Sequence, residues 1–220
     1  DGHVASWLIV SARTSGAIGD RHGISLFVID PQQPGVKIER ASMLDSRNAA
    51  RCTFEAVEVS EAALLGSVDQ GASLLDPMLD RAAVCVSAEI LGLITQAYET
   101  TLEYLKTRVQ FDALIGSFQA LQHRAVDMFC EIELTKSLVL DALTAIDEGR
   151  AEAPILASAA KARLSDAASF ITREALQLHG GIGMTDEHDI GLYLKRAAVA
   201  EASFGDAAYH RDRFARLKGF

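Results

Sequence analysis

Six histidines punctuate the chain: His3, His22, His123, His179, His188 and His210. None forms HExxH or another tight ligand pair, so a metal site is not expected. Cys52, Cys85 and Cys130 stand far apart and include no CxxC spacing. No GxSxG elbow and no Walker loop is present. Gly180-Gly181-Ile182-Gly183 is glycine-rich, but it follows helical sequence rather than a strand. It lacks the context of a Rossmann fingerprint and reads locally as a helix C-cap with a tight turn. Arg81 and Arg108, each taken alone, read as solvated or ion-paired surface groups.

The elements that hold these residues fall into two unlike halves. Residues 1–66 read as β structure: Trp7–Val10, Ile24–Ile29, Gly35–Glu39 and Ala50–Val59 are short apolar or alternating runs between turn signals. Cys52, Phe54, Val57 and Val59 are the inward candidates of the last run. The stretch from Thr14 to Gly23 reads as a loop. An antiparallel sheet or small barrel is expected. From about Leu74 the period becomes helical. Leu79, Val86, Ile90, Leu93, Ala97 and Leu105 mark the apolar face of a first helix. A second runs from Phe118 to about Ile146, and a third from Pro154 to Leu178. A fourth, Asp189 to about Leu217, carries a break signal near Gly205. Residues 67–220 therefore read as an antiparallel four-helix bundle, and the chain as an α+β protein.

Composition narrows the classes further. The 220 residues are 49% hydrophobic and 23% charged, as in an ordinary globular protein. Twenty-one basic against 30 acidic residues give a net charge of -9, and aromatics are only 6%. Both argue against nucleic-acid binding. The best apolar run, Ala82 to Ile94, is interrupted by Glu89, so no membrane span is expected. Three scattered cysteines suit a reducing compartment, here the cytoplasm. A chain that opens at Asp1 in strand-like sequence reads as a fragment or processed chain.

Taken in order, the segments resemble one family, the acyl-CoA dehydrogenases. Gly23-Ile24-Ser25-Leu26-Phe27-Val28 with Pro34-Gly35-Val36 resembles its middle β domain. Arg108-Val109-Gln110-Phe111, followed by Ile115 to Gln122, resembles its R-x-x-F-G…F-Q-x-x-Q segment. Gln177 to Gly183 with Glu187 resembles its Q-x-x-G-G-x-G…E segment. The segments from Gly181 to Leu192 and from Phe204 to Arg213 look like bacterial pimeloyl-CoA-type small subunits. The resemblance implies a middle β domain over 1–66 and a C-terminal bundle over 67–220, without the family's N-terminal helical domain. It implies FAD, held by Arg108, Gln110, Phe111, Gln119, Gln177, Gly180 and Gly181, with these segments acting across a subunit interface. It implies an acyl-CoA substrate contacted by Arg81 and Gly205, an electron-transfer flavoprotein as partner, and a homo- or hetero-tetramer.

The resemblance also implies a chemistry, α,β-desaturation: a carboxylate takes the α proton while the β hydrogen leaves as hydride. Most members place a Glu where this chain has Phe204. A second family solution places the base just before the Arg equivalent to Arg81, which here is Asp80. Asp112 stands after Phe111 where Gly is usual. The alternative is a silent partner subunit that keeps the flavin contacts but has no working base. The family's residues touching the flavin ring lie at and before the strand preceding Trp7. The 220-residue chain alone is therefore expected to be colourless and inactive. A stoichiometric yellow flavin spectrum would contradict that expectation.

Overall fold

β-branched and aliphatic residues in short runs build the first part of the chain into strands. The computed structural model describes residues 1–220 and divides into two compact units, Asp1–Met78 and Leu79–Phe220. In the first unit lie β1 (Leu8–Arg13), β2 (Ile24–Ile29), β3 (Val36–Ser42), β4 (Asn48–Phe54) and β5 (Leu64–Leu65). β1 and β2 pair antiparallel, with Leu8 opposite Ile29 and Arg13 opposite Ile24, and β5 covers the other side of β2. β3 and β4 form a separate antiparallel pair, from Val36 opposite Phe54 to Ser42 opposite Asn48. The single sheet or barrel expected from sequence is thus two small antiparallel sheets.

Local chemistry explains the details. Arg13 donates to the carbonyls of Ser15, Asp20 and His22, which ties the 14–23 loop to the end of β1. Gly23 closes that loop at φ +86°, where an added Cβ would lie 2.2 Å from the Ser15 carbonyl oxygen. Thr14 Oγ1, buried Ser25 and Asp69 form a hydrogen-bonded triangle at the same end. β4 stops at Phe54 rather than continuing to Val59 because Ala56 turns left-handed at φ +49°. Phe54 and Val59 are consequently exposed rather than inward, and Cys52 is half-buried.

The helices are α1 (Gly71–Thr107), α2 (Gln119–Asp147), α3 (Ala153–His179), α4 (Ile190–Ala202) and α5 (Ala207–Lys218). The division between the two units falls inside α1, just after Pro77. A hairpin, β6 (Val109–Gln110) and β7 (Ala113–Leu114), links α1 to α2. The fourth helical stretch is split into α4 and α5 by Phe204 and Gly205, both left-handed, with Asp206 capping α5 through the Tyr209 amide. Of the apolar face expected on the first helix, only Leu79 is exposed.

Ion pairs report the helix directions. Arg124 of α2 meets Glu174 of α3, and Glu131 meets Arg163, so position rises on one helix as it falls on the other. Glu89–Arg196 and Asp80–Arg213 give the same opposition between α1 and α4–α5. The result is an up-down-up-down bundle. No helix is long and apolar enough to cross a membrane.

The helix at the centre is α3, which packs on α2, α4 and α5. Its buried residues are mostly small: Ala157, Ser158, Ala160, Ala162, Ser165, Ala167, Ala168 and Ala175. Small side chains let the neighbouring helices approach closely, and the larger Met128, Ile132, Ile90 and Ile94 fill the remaining space. Ala168→Leu should therefore overpack the centre and cost about 1–3 kcal/mol of stability. Chemical denaturation measures this, and an unchanged midpoint would contradict such tight packing.

Candidate functional site

The β6–β7 hairpin turns on Phe111 and Asp112, at φ +55° and +58°. A two-residue turn with both centres left-handed is a type I′ geometry, which normally takes Asn-Gly or Asp-Gly. The structure thus gives a conformational reason for glycine at position 112, and Asp is among the few replacements that tolerate it. Phe111 is 89% exposed, with its ring edge-on to Phe118 at 6.3 Å between centroids. The hairpin is closed by the Ile115 amide donating to the Arg108 carbonyl at 2.9 Å.

That hairpin and the end of α3 line one groove. A cavity of about 510 Å³ is bordered by Tyr104, Arg108, Gln110, Arg124 and Gln177, with the Leu178–Ile182 turn. Five of the seven residues expected to meet the cofactor therefore line this cavity: Arg108, Gln110, Gln177, Gly180 and Gly181. Phe111 projects from the hairpin, and Gln119 sits exposed at the start of α2; neither lines this cavity. A second cavity of about 490 Å³ opens on Arg173, Leu176 and Met184, and shares Gln177, Gly180 and Gly181 with the first.

Glycine has two different jobs in this turn. Gly180 adopts φ +63° and ψ −140°, a region essentially closed to other residues. Gly181 has no such constraint, and an added Cβ would meet no atom of the chain within 4 Å. Nothing in this fold requires glycine there, so the open space beside it is suited to close approach by a ligand. The groove's donors fit a pyrophosphate: a planar guanidinium on Arg108, two side-chain amides and bare backbone at the glycine pair.

Three residues in the groove were not expected. Tyr104 stacks on His179 at 4.5 Å, and His188 lies 4.4 Å from His179 and edge-on to Tyr104 at 6.3 Å. The Nδ1–H of His179 donates to the Ala175 carbonyl at 2.7 Å, leaving Nε2 buried without a partner. Burial pushes the His179 pKa down, opposed by that carbonyl contact. The third, Arg124, is held by Glu174.

Asp80 lies elsewhere, at the other end of the bundle. It is 7% exposed, and its Oδ1 accepts from Arg213 Nη1 at 2.7 Å. Arg213 also donates to Ser158 Oγ at 2.8 Å and to the Pro154 carbonyl at 3.3 Å. Asp80 neither faces solvent nor pairs with Arg163, which binds Glu131 instead. Arg81, the next residue, is exposed on α1.

Close by is the fully buried Lys161. Its Nζ donates to the carbonyls of Gly205 at 2.7 Å and Glu201 at 2.8 Å, and to Ser165 Oγ at 3.2 Å. The Gly205 carbonyl is thus occupied from within. Its φ of +100° and a 2.4 Å approach of an added Cβ to the Tyr209 ring explain the glycine. His210 donates from Nε2 to the Phe204 carbonyl at 2.9 Å, and burial pushes its pKa down. Lys161, Ser158 and Arg213 escaped the sequence reading. The only signal was a lone lysine in an alanine-rich helix.

A family model described as acyl-CoA dehydrogenase, C-terminal domain, matches residues 69–218. Among curated proteins, the chain is 45% identical over 125 residues to acyl-CoA dehydrogenase IpdE2 of Mycobacterium tuberculosis, covering 56% of this chain and 37% of that one. It is 32% identical over 218 residues to the probable acyl-CoA dehydrogenase YngJ of Bacillus subtilis, covering 96% and 56%. The solved butyryl-CoA dehydrogenase of Megasphaera elsdenii superposes with a TM-score of 0.91 at 27% identity, covering 99% of this chain and 57% of that one. The matched segments thus cover 37% to 57% of the lengths of these proteins.

One prediction concerns Lys161. Burial lowers its pKa from the ordinary 10.5 to about 8, against the opposing charges of Glu201 and Asp206. Between those two values the unfolded chain keeps a proton that the folded chain has released. Stability from this group therefore rises with pH across that window, because the cost of a buried charge disappears. Comparing unfolding of the wild type and Lys161→Met from neutral pH to about pH 10 should show the difference moving in favour of wild type. A pH-independent difference would contradict a buried cationic lysine.

Proposed function

Since the chain belongs to the acyl-CoA dehydrogenase family, we propose that it is part of one subunit of an FAD-dependent enzyme that desaturates an acyl-CoA thioester between its α and β carbons. The observation that carries this reading is the groove, where Arg108, Gln110, Gln177, Gly180 and Gly181 come together from segments far apart in sequence. The cofactor is FAD, and the chemistry it supplies when bound is acceptance of the β hydrogen as hydride. In this reading the Arg108 guanidinium and the two glutamines bind the pyrophosphate end. The Gly180–Gly181 backbone lets it approach closely. The groove is open, so the flavin it grips belongs to a site completed by a neighbouring subunit. An electron-transfer flavoprotein takes the electrons onward.

Asp80 is the carboxylate proposed to remove the α proton. Its burial supplies the dry setting that general-base work favours, and Arg213 fixes its position. Two observations favour the second reading, a silent partner subunit in a mixed tetramer. Phe204 cannot take a proton, and one oxygen of Asp80 is already engaged by Arg213. The two readings share the flavin groove and differ only in which chain carries the base.

Two variants of the full-length protein, with any partner subunit present, separate these claims. Arg108→Ala removes a charge-assisted contact worth about 1.5–3 kcal/mol, so FAD affinity should drop about tenfold or more. Unchanged affinity in a titration would reduce Arg108 to a surface charge. Asp80→Asn should lower turnover by about 10²–10⁴, with normal flavin content and folding. Near-normal flavin bleaching by acyl-CoA in Asp80→Asn would move the base to the partner chain.

A further inference from the structure

A lysine with no exposed surface is rare unless its charge is matched by acceptors. Lys161 has three: the Ser165 hydroxyl on its own helix and the carbonyls of Glu201 and Gly205. The two carbonyls belong to the end of α4 and to the corner that follows. That corner is strained. Phe204 holds φ +57°, a left-handed conformation costly for a bulky residue, and Gly205 follows at +100°. His210 takes the Phe204 carbonyl from the α5 side. Three residues further along α5, Arg213 grips Asp80 of α1 and Ser158 of α3, nearly one turn before Lys161. Asp80, Ser158 and Arg213 are linked by hydrogen bonds, Lys161 and His210 bind the corner beside them, and His210 lies within electrostatic range of Lys161, Arg213 and Asp80, so the two groups adjoin across α1, α3 and α5.

We propose that Lys161 is a positioning residue: from inside α3 it fixes the Phe204–Gly205 corner and, through α5, the grip of Arg213 on Asp80. The corner fixes where α5 begins, because Asp206 caps that helix directly after Gly205. The start and direction of α5 in turn decide whether Arg213 reaches Asp80. The two positions implicated in proton removal, Asp80 and the one occupied by Phe204, are therefore held in mutual register by a single buried ammonium. The consequence for turnover rests on the functional reading above; the structural consequence does not. The cluster lies about 25–30 Å along α3 from the Gly180–Gly181 turn, counting 1.5 Å per residue. Loosening one end should leave flavin binding at the other intact.

The test compares Lys161→Met, Lys161→Gln, Asp80→Asn and the Lys161→Met/Asp80→Asn double variant, in the full-length protein with FAD and any partner subunit. In Lys161→Met, amide hydrogen exchange over residues 203–210 should quicken about tenfold or more while flavin content is unchanged. Lys161→Gln keeps two N–H donors and should recover part of the protection. Turnover in Lys161→Met should fall about 10- to 100-fold with KM nearly constant, the scale of a misplaced catalytic group. The double variant should be no slower than Asp80→Asn, because both changes act on one group. Unchanged exchange over 203–210, or losses that multiply in the double variant, would overturn the proposal. Should Lys161→Met not fold, Lys161→Gln carries the same comparisons. A wild type with bound FAD but no turnover on acyl-CoA would refute the functional reading instead, and the exchange result alone would then decide the positioning role.

Discussion

A helix enclosed by its neighbours can carry only side chains those neighbours can accommodate, and α3 is such a helix. Its alanines and serines set how closely α2, α4 and α5 approach, so the bundle's dimensions follow from one small-residue surface. The same enclosure makes Lys161 consequential. An ammonium placed there must find acceptors inside the protein. It finds them at the end of α4 and at the corner after it, where the chain turns towards α5. Packing and polar satisfaction are therefore the same constraint seen from two sides.

The two ends of α3 do different work. At its C-terminus the helix gives way to Gly180–Gly181, and the turn joins the hairpin after α1 in a groove bearing a guanidinium and amides. Near its N-terminus it organises the cluster around Asp80. Between the ends, the ion pairs Arg124–Glu174 and Glu131–Arg163 link α2 to α3. Within the helical unit, Leu79–Phe220, the left-handed non-glycine residues are Phe111 and Asp112 at the groove and Phe204 at the corner. Strain of this kind persists where surrounding structure over-determines it, and functional sites are where it gathers.

Much of this was legible in the residues. On the first helix Val86, Ile90, Leu93, Ala97 and Leu105 lie inward or half-buried because helical period fixes which residues share a face. The break near Gly205 was signalled by glycine. The end of β4 was not, because nothing in the types at 55–59 announces that Ala56 turns left-handed. Lys161 was missed for a related reason: in an alanine-rich helix, pattern does not say which side faces the core. Arg213 and Asp80 are distant in sequence, and only the antiparallel packing of α5 on α1 joins them. The groove residues were identified by family resemblance rather than by spacing. Their convergence on one cavity is what the fold adds, together with Tyr104, Arg124 and His179.

In the proposed site the groove between the hairpin and the glycine turn grips the pyrophosphate end of a flavin. The most direct measurement is an experimentally determined structure of the full-length assembly with FAD bound. The account predicts phosphate oxygens within hydrogen-bond distance of the Arg108 guanidinium, with the cofactor passing over the face of Gly181 where no Cβ stands. A flavin bound away from this groove, or a groove filled by a neighbouring chain's side chains with no phosphate near Arg108, would contradict it.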